Sequence, residues 1–174
     1  RRLIDEISNR VGCMGLVHET LCQSENLAAI DILNYVRTLG NNLLYTYRGH
    51  SDDIRLDVQG DALWISIDSA IALGLIVNEL VSNSIKHAFA GRDKGHIKIR
   101  LRKNEDQRLA IMVSDDGNGL PHGLDVSNTE SLGLQLVQAL VQQLEGHLEV
   151  HNGVGVSFVF ELDTPLLEGT ETYA

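Results

Sequence analysis

The sequence has few of the features that stabilise secreted or membrane-embedded proteins. Its 174 residues include only two cysteines, Cys13 and Cys22. They lie close together in a predicted helix, so we expect reduced thiols rather than a disulfide, and two cysteines alone make no zinc site. No apolar run approaches the roughly 20 residues of a membrane helix, and no signal peptide is visible. These absences predict a cytoplasmic chain without membrane contact, although a longer parent protein could be tethered.

Basic residues are also scarce. The chain has 14 Lys and Arg against 24 Asp and Glu, which gives a formal net charge of -10. Because nucleic acids and anionic membranes repel such a chain, neither is an expected partner. The length suits one domain with a short helical appendage, and the hydrophobic share is ordinary for a globular chain. The chain begins with Arg-Arg rather than Met, so we expect a piece of a longer protein.

Residues 68–89, DSAIALGLIVNELVSNSIKHAF, have the pattern of one long helix with Asp68 or Ser69 as N-cap. At about 100° per residue, one broad side is apolar. Its members are Leu73, Ile76, Val77, Leu80, Val81, Ile85 and Ala88. A narrower side carries Glu79, Asn83, Lys86 and His87. These groups offer oxygen ligands to a hard metal ion and cationic donors to phosphates, although a solvated helix face has the same pattern.

Two helices are predicted before this segment. Residues 1–23 have helical character, and a second apolar stripe follows the predicted N-cap Asp31. The stripe consists of Ile32, Leu33, Val36, Leu39, Leu43 and Leu44. A short link makes an antiparallel pair over residues 1–47 the expected arrangement, and such pairs often dimerise. The polar, turn-forming residues after Tyr47 then predict a boundary at residue 48.

Alternating apolar residues predict short strands on both sides of the long helix. Two strands, 54–58 and 63–67, precede it, and strands 97–101 and 109–113 follow it around a turn at 104–107. A further helix runs through residues 137–144 with Gly146 as its C-cap, and a closing hairpin at 148–162 turns at Asn152-Gly153. Residues 122–130 are predicted to form a mobile loop. The main domain would cover residues 48–165, with a frayed tail at 166–174.

Two segments containing glycine follow these strands. Asp115-Asp116-Gly117-Asn118-Gly119 comes directly after a strand, and its glycines allow positive φ and close approach to a ligand. Alone, Asp-Gly also marks an ordinary turn. Ser131-Leu132-Gly133-Leu134 begins a helix, where free N–H groups and the positive dipole end attract phosphate. An ordinary capped helix has the same sequence pattern.

Together, ELVSNSIKHAF, DDGNGLP and SLGLQLV resemble the N-box, the DxGxG box and the second glycine box of the GHKL superfamily. This superfamily holds sensor histidine kinases and gyrase-type ATPases, and the helix is similar to the NELVxNxxKHAF of the HisKA_2- or HWE-like kinases. The resemblance covers residues 54–165 in the family's order. It implies an α+β fold, a Bergerat-type sandwich whose mixed, mostly antiparallel sheet is covered on one face by helices. An α-helical hairpin would precede the sandwich.

One box departs from the family pattern. Residues 153–158 read GVGVSF where a GTxF-like pattern is commoner, but Gly155 and Phe158 preserve the shape of this third glycine box. Before the main domain, GLVHETLCQSENLAAIDILNYV resembles the helical region of the same kinases. His18 aligns within that helical region, and no acceptor segment like HHRVKNN is present. His18 is therefore expected to pack or lie on the surface rather than to be phosphorylated.

The resemblance implies that the chain binds ATP. Asp115 would accept a hydrogen bond from the exocyclic amine of adenine, and Gly117 and Gly119 would shape the pocket. The phosphates would lie near the start of the later helix, formed by Leu132, Gly133 and Leu134. Residues 120–130 would form a lid that excludes water while it is closed.

The resemblance also implies a Mg²⁺ ion and a set of catalytic groups on the long helix. Asn83 would be the magnesium ligand, because a neutral amide oxygen suits an ion that keeps waters and binds phosphates. Lys86 and His87 would contact the phosphates. Glu79 would orient or deprotonate the nucleophile. Positioning and charge neutralisation carry such a phosphoryl transfer.

The leading hypothesis is the ATP-binding catalytic domain of a two-component sensor histidine kinase. It would transfer the γ-phosphate to a histidine outside this chain, for relay to the receiver domain of a response regulator, and would dimerise through the N-terminal helices. Two alternatives stay open: a non-catalytic nucleotide-binding regulatory module, and a serine kinase of the anti-sigma type. A gyrase-type ATPase fits less well, because those enzymes add a following domain that supplies a lysine to the γ-phosphate.

Overall fold

A computed structural model describes residues 15, 19, 29–47, 53–92, 94–106, 108–121, 126, 129, 131–163, 166 and 167. Gly15 and Glu19, the two described residues of the first predicted helix, are helical. The rest of that helix lies outside the described residues, with Cys13, His18 and Cys22, and so does most of the predicted loop at 122–130. Within the described part, no helix is both long enough and apolar enough to cross a membrane.

The described chain contains seven strands. In chain order they are β1 (Ile30–Asp31), β2 (Asp53–Gly60), β3 (Trp64–Ile65), β4 (Lys94–Lys103), β5 (Leu109–Asp115), β6 (His147–Gly153) and β7 (Gly155–Leu162). Five of them form one sheet in the spatial order β2-β4-β5-β7-β6. β2 and β4 are parallel and the other three pairs are antiparallel, as the predicted mixed sheet requires. β1 and β3 form a separate antiparallel pair.

Three α-helices follow the helical residues Gly15 and Glu19 in the described part of the chain: α1 (Ile32–Thr46), α2 (Ile67–Asn83) and α3 (Leu132–Gln143), with a π-helical turn, Ser84–Ala88, extending α2. Asp31 caps α1 as predicted, because its side chain accepts the N–H of Asn34. The predicted N-caps of α2 were wrong. The cap is Ser66, whose Oγ accepts the Ser69 N–H at 3.3 Å, so Asp68 falls in the first turn, where its charge favours the helix dipole.

The core lies between the helices and one face of the sheet. Its most deeply buried large side chains include Ile97, Ile99 and Leu101 of β4, Ile111 of β5 and Phe160 of β7. Helix α2 is buried on most of its circumference, since α1 and α3 pack against it and β5 lies beneath it. The long helix and the α+β sandwich predicted from the sequence are therefore confirmed.

Helix α1 shares this core, because it packs on both α2 and β2. Gly74 of α2 allows α1 and α2 to approach closely, since a Cβ at this position would collide with the Tyr35 hydroxyl of α1. The division of the chain at residue 48 stays a prediction. At the other end, the Leu167 N–H donates to the Trp64 carbonyl at 2.8 Å, which connects this residue to β3.

The end of α3 differs from the prediction that Gly146 caps it. Leu144 is the C-cap, and the residue with positive φ is Glu145, at 51°. The Gly146 N–H donates to the Val141 carbonyl at 2.8 Å and the Glu145 N–H donates to the Gln142 carbonyl, which is a Schellman arrangement with Gly146 two positions after the C-cap. Gly146 is needed there for space, because a Cβ would lie 2.5 Å from the Glu161 carbonyl oxygen.

Glu145→Gly should stabilise the fold. An L-residue in the left-handed region destabilises the fold by about 1–2 kcal/mol, and glycine removes this cost. Because glycine also raises the conformational entropy of the unfolded chain, which offsets part of the gain, we expect a net stabilisation of about 0.5–1 kcal/mol. Urea denaturation measures the free energy of unfolding. Glu145→Ala is the control, because it removes the same carboxylate without relieving the backbone. Equal stabilities of the two variants would contradict the argument.

Candidate nucleotide-binding site

A cleft of about 290 Å³ opens where the end of α2, the loop after β5 and the start of α3 meet. Larger hollows of about 500 and 470 Å³ lie along α3 and β6 and beside the turn between β6 and β7. Of the three, only the smaller cleft is lined by residues from all three predicted segments: Asn83, Asp115 and Leu134. Its other walls are mainly apolar: Leu80, Ala88, Leu120, Pro121, Val156 and Phe158. An apolar cleft with few polar groups is typical of a small-molecule site.

The Asp115 carboxylate is a buried charged group of this cleft, with 7% of the residue exposed. Its Oδ2 accepts the Ser84 hydroxyl at 2.8 Å. Its Oδ1 accepts the backbone N–H of Gly117 at 3.0 Å and that of Val156 at 3.4 Å. A carboxylate has about four acceptor positions, so these three hydrogen bonds leave capacity for one further donor.

The π-helical turn brings α2 against the loop after β5. Its last residue, Ala88, accepts the Asn118 N–H at 2.8 Å. Gly117 packs on the same carbonyl, and a Cβ at Gly117 would collide with the Ala88 backbone. Gly119 has a φ of 74°, where glycine is favoured. These contacts explain the two glycines of the loop, and π-helical turns are frequent at functional sites.

The four polar residues predicted on one side of α2 are divided in the structure. Asn83, half-buried, and His87, exposed, line the cleft. The lining does not include Lys86, whose Nζ lies 5.3 Å from the centroid of the Tyr47 ring. Glu79 is buried one turn before Asn83 and is also absent from the lining. The π-helical turn contributes to this division, because each of its residues rotates by a smaller angle about the helix axis than a residue of an α-helix. Lys86 therefore lies further round the helix from Asn83 than an α-helix would place it.

The start of α3 forms another wall of the cleft. Ser131 is the N-cap, and its side chain makes no capping hydrogen bond. Ser131 and Leu134 line the cleft, Gly133 is buried, and Leu132 is 52% exposed. The first N–H groups of a helix have no intrahelical partner, so this end of α3 offers donors beside the cleft.

Two residues outside the predicted set contribute to the site. Ser84 donates to Asp115, and Asn152 exchanges hydrogen bonds with Leu120: the Leu120 N–H donates at 2.8 Å and Asn152 Nδ2 donates back at 3.2 Å. Ser84 carries a signal in the sequence, since it is a polar residue on the apolar side of the helix. Asn152 reads as an ordinary turn residue, and its partner lies 32 positions away.

The side chains at the cleft suit Mg²⁺ better than a metal ion whose ligands all come from the protein. Among the described residues, no group of three or more His, Cys, Asp and Glu is placed to hold a metal ion. Mg²⁺ does not need such a cluster, because it keeps several waters and shares its remaining positions with phosphate oxygens. The amide of Asn83, at the cleft, is an oxygen donor of the right kind.

Comparison with known proteins gives a consistent assignment. Residues 68–166 match the family of histidine kinase-, DNA gyrase B- and HSP90-like ATPases, and residues 1–47 match a histidine kinase family. Blue-light-activated histidine kinase 2 of Erythrobacter litoralis is 31% identical over 93% of the chain and 47% of its own length. Sensor histidine kinase PdtaS of Mycobacterium tuberculosis is 34% identical over 85% of the chain and 29% of its own length.

A solved structure agrees. The histidine kinase domain of the Erythrobacter litoralis EL346 blue-light activated histidine kinase superposes with a TM-score of 0.77 at 27% identity, covering 89% of this chain and 73% of that one. Fold and cleft define an α+β nucleotide-binding domain. The chain belongs to the histidine kinase-, DNA gyrase B- and HSP90-like ATPase family, and residues 1–47 associate it with the histidine kinases. It spans about half the length, or less, of these two curated relatives.

Ser84 and Ser82 provide a matched pair of substitutions. Both are buried in the same helical segment, but Ser84 Oγ donates to Asp115, whereas Ser82 Oγ has no hydrogen-bond partner among the described residues. We expect Ser84→Ala to lower the free energy of unfolding by about 1.5–3 kcal/mol, because a bond to a charged group is lost. Ser82→Ala should leave it unchanged or raise it by about 1 kcal/mol. Thermal denaturation of both variants measures the difference, and equal losses would contradict this role of Ser84.

Proposed function

We propose that this chain is the ATP-binding catalytic domain of a two-component sensor histidine kinase. It transfers the γ-phosphate to a histidine outside this chain, and a response regulator receiver domain then takes the phosphoryl group. The observation that carries the proposal is the buried Asp115 carboxylate in an apolar cleft that Asn83, His87 and the start of α3 also line. Membership of an ATPase family supports ATP as the nucleotide.

Adenine recognition rests on Asp115. Its remaining acceptor position would take the exocyclic amine of adenine, while Gly117 and Gly119 keep the loop close to the base. The apolar walls suit a flat ring. Guanine has a carbonyl oxygen where adenine has its amine, so the same carboxylate would repel GTP.

The phosphates would extend from this base toward Asn83, His87 and the free N–H groups of Leu132, Gly133 and Leu134. Asn83 would hold Mg²⁺, which when bound supplies charge neutralisation of the phosphate oxygens. Lys86 adds a cation to this end of the cleft. Glu79, one turn before Asn83, would orient or deprotonate the acceptor imidazole.

The helical segments up to residue 47 would form the dimer contact, and residues 48–165 would form the ATP-binding unit followed by the tail at 166–174. The match of residues 1–47 to a histidine kinase family supports this division of labour. Residues 120–130 would act as the lid. A cytoplasmic setting belongs to the same proposal, since response regulators receive phosphoryl groups there.

Asp115→Asn should weaken ATP binding by at least about tenfold. The substitution replaces a charged carboxylate, which only accepts hydrogen bonds, by a neutral amide that offers both a donor and an acceptor. Preference for ATP over GTP should also decrease, and this ratio is independent of the folded fraction. Titration calorimetry with each nucleotide in the presence of Mg²⁺ measures both affinities.

Asp116→Asn is the matched control for this experiment. Asp116 is the exposed neighbour, and its Oδ1 accepts the His96 N–H instead of facing the cleft. This variant should bind ATP as the unmodified chain does. Unaltered ATP affinity in Asp115→Asn, or equal losses in both variants, would contradict the assignment of adenine recognition to Asp115.

Phosphoryl transfer is tested by incubating the chain with γ-labelled ATP, Mg²⁺ and a separate helical fragment that contains an acceptor histidine. We expect acid-labile label on the fragment, and a loss of at least about a hundredfold in rate with Glu79→Gln if Glu79 acts as a general base. Acid-stable label would indicate serine phosphorylation. ATP binding without any label would indicate a regulatory module, and either result would overturn the proposal.

A further inference from the structure

The ammonium of Lys86 lies over an aromatic ring. Its Nζ is 5.3 Å from the ring centroid of Tyr47, within the roughly 6 Å range of a cation–π contact. Tyr47 is the C-cap of α1, its N–H donates to the Leu43 carbonyl at 3.0 Å, and its side chain packs on the core. The ring is therefore held by α1, while the ammonium belongs to the π-helical turn after α2.

This contact concerns the reactive end of the cleft. Lys86 is next to His87 and three residues after Asn83, both of which line the cleft that Lys86 does not line. An ammonium has three N–H donors on a flexible stem, and it can move between the ring and a nearby phosphate. The ring and the phosphates are therefore competing partners for one cation.

We infer that Tyr47 is a positioning residue that limits the availability of Lys86 to the phosphates of ATP. The inference rests on the proposed function, because it requires a nucleotide in this cleft. Cation–π contacts at partly exposed sites have modest energies, which correspond to about a two- to fivefold effect on affinity. Tyr47 thus adjusts phosphate affinity and leaves adenine recognition at Asp115 unchanged.

The position of Tyr47 makes this adjustment dependent on α1. Tyr47 is the last residue of the region that matches the histidine kinase family. The stripe of α2 that faces α1 begins at Gly74, against Tyr35, and continues through Asn78 and Ser82. Among the described residues, Asn78 Oδ1 and Ser82 Oγ have no hydrogen-bond partner, and such buried groups destabilise a helix contact. Tyr47 belongs to α1, so a shift of α1 relative to α2 would move the ring away from Lys86.

Tyr47→Leu tests the inference, because leucine keeps an apolar side chain and removes the π system. We expect Mg-ATP to bind about two- to fivefold more tightly, while adenosine, which has no phosphate, binds with unchanged affinity. Tyr47→Phe retains the ring and should restore the original ATP affinity. In a Lys86→Met background, Tyr47→Leu should have no effect on ATP binding. Titration calorimetry of the full chain measures all of these affinities.

Tyr45→Leu is the matched control, since Tyr45 is a 70% exposed tyrosine two positions earlier on α1, and its variant should bind Mg-ATP unchanged. Unchanged or weaker ATP binding in Tyr47→Leu, or a change that persists with Lys86→Met, would overturn the role of Tyr47 and leave the proposed function in place. Failure of the unmodified chain to bind ATP and adenosine would overturn both.

Discussion

The hydrogen bond from Ser84 to Asp115 holds the two sides of the cleft together. It connects the π-helical turn after α2 to the end of β5, across 31 positions of sequence. The other oxygen of the same carboxylate accepts N–H groups from the next loop and from β7. A buried carboxylate is tolerated only when its oxygens are hydrogen-bonded, so the depth of the cleft depends on all three donors. One side chain thus fixes the relative positions of a helix, a loop and a strand.

Close backbone contacts reinforce this arrangement and explain which glycines are indispensable. A Cβ at Gly117 would collide with the Ala88 backbone, and one at Gly155, whose φ is 78°, would collide with the Asp115 carbonyl. Gly155 belongs to the segment that departs from the family's third glycine box, yet it keeps the one feature that this position needs. The loop, the π-helical turn and β7 therefore pack as one unit, and a preorganised site loses little entropy when it binds a rigid ring.

The local sequence pattern predicted most of the helices and strands correctly, but it placed their ends less accurately. The apolar stripes of α1 and α2 and the strand alternation of β4 and β5 follow from burial, which periodicity reports directly. The start of α2 was misplaced because Ser66, Asp68 and Ser69 are all good N-caps and only the backbone path decides among them. No local pattern encodes contacts between residues that are distant in sequence. These contacts are the parallel pairing of β2 with β4, the Ser84–Asp115 hydrogen bond and the two hydrogen bonds between Asn152 and Leu120. The grouping of Lys86 with Asn83 assumed an α-helix where the chain forms a π-helical turn.

The cleft therefore has a rigid end and an adjustable end, and the two follow from different physics. Around Asp115, buried hydrogen bonds hold the carboxylate in place and close contacts at the glycines leave no space for a larger side chain. At the other end, His87 is exposed, Asn83 is half-buried and Lys86 lies on Tyr47, so each side chain can exchange partners at small cost. In the proposed kinase, base recognition would be constant while phosphate contacts respond to α1. Because the phosphate contacts are separate from the contacts that hold the base, a helical region could alter the reactivity of bound ATP without releasing the nucleotide.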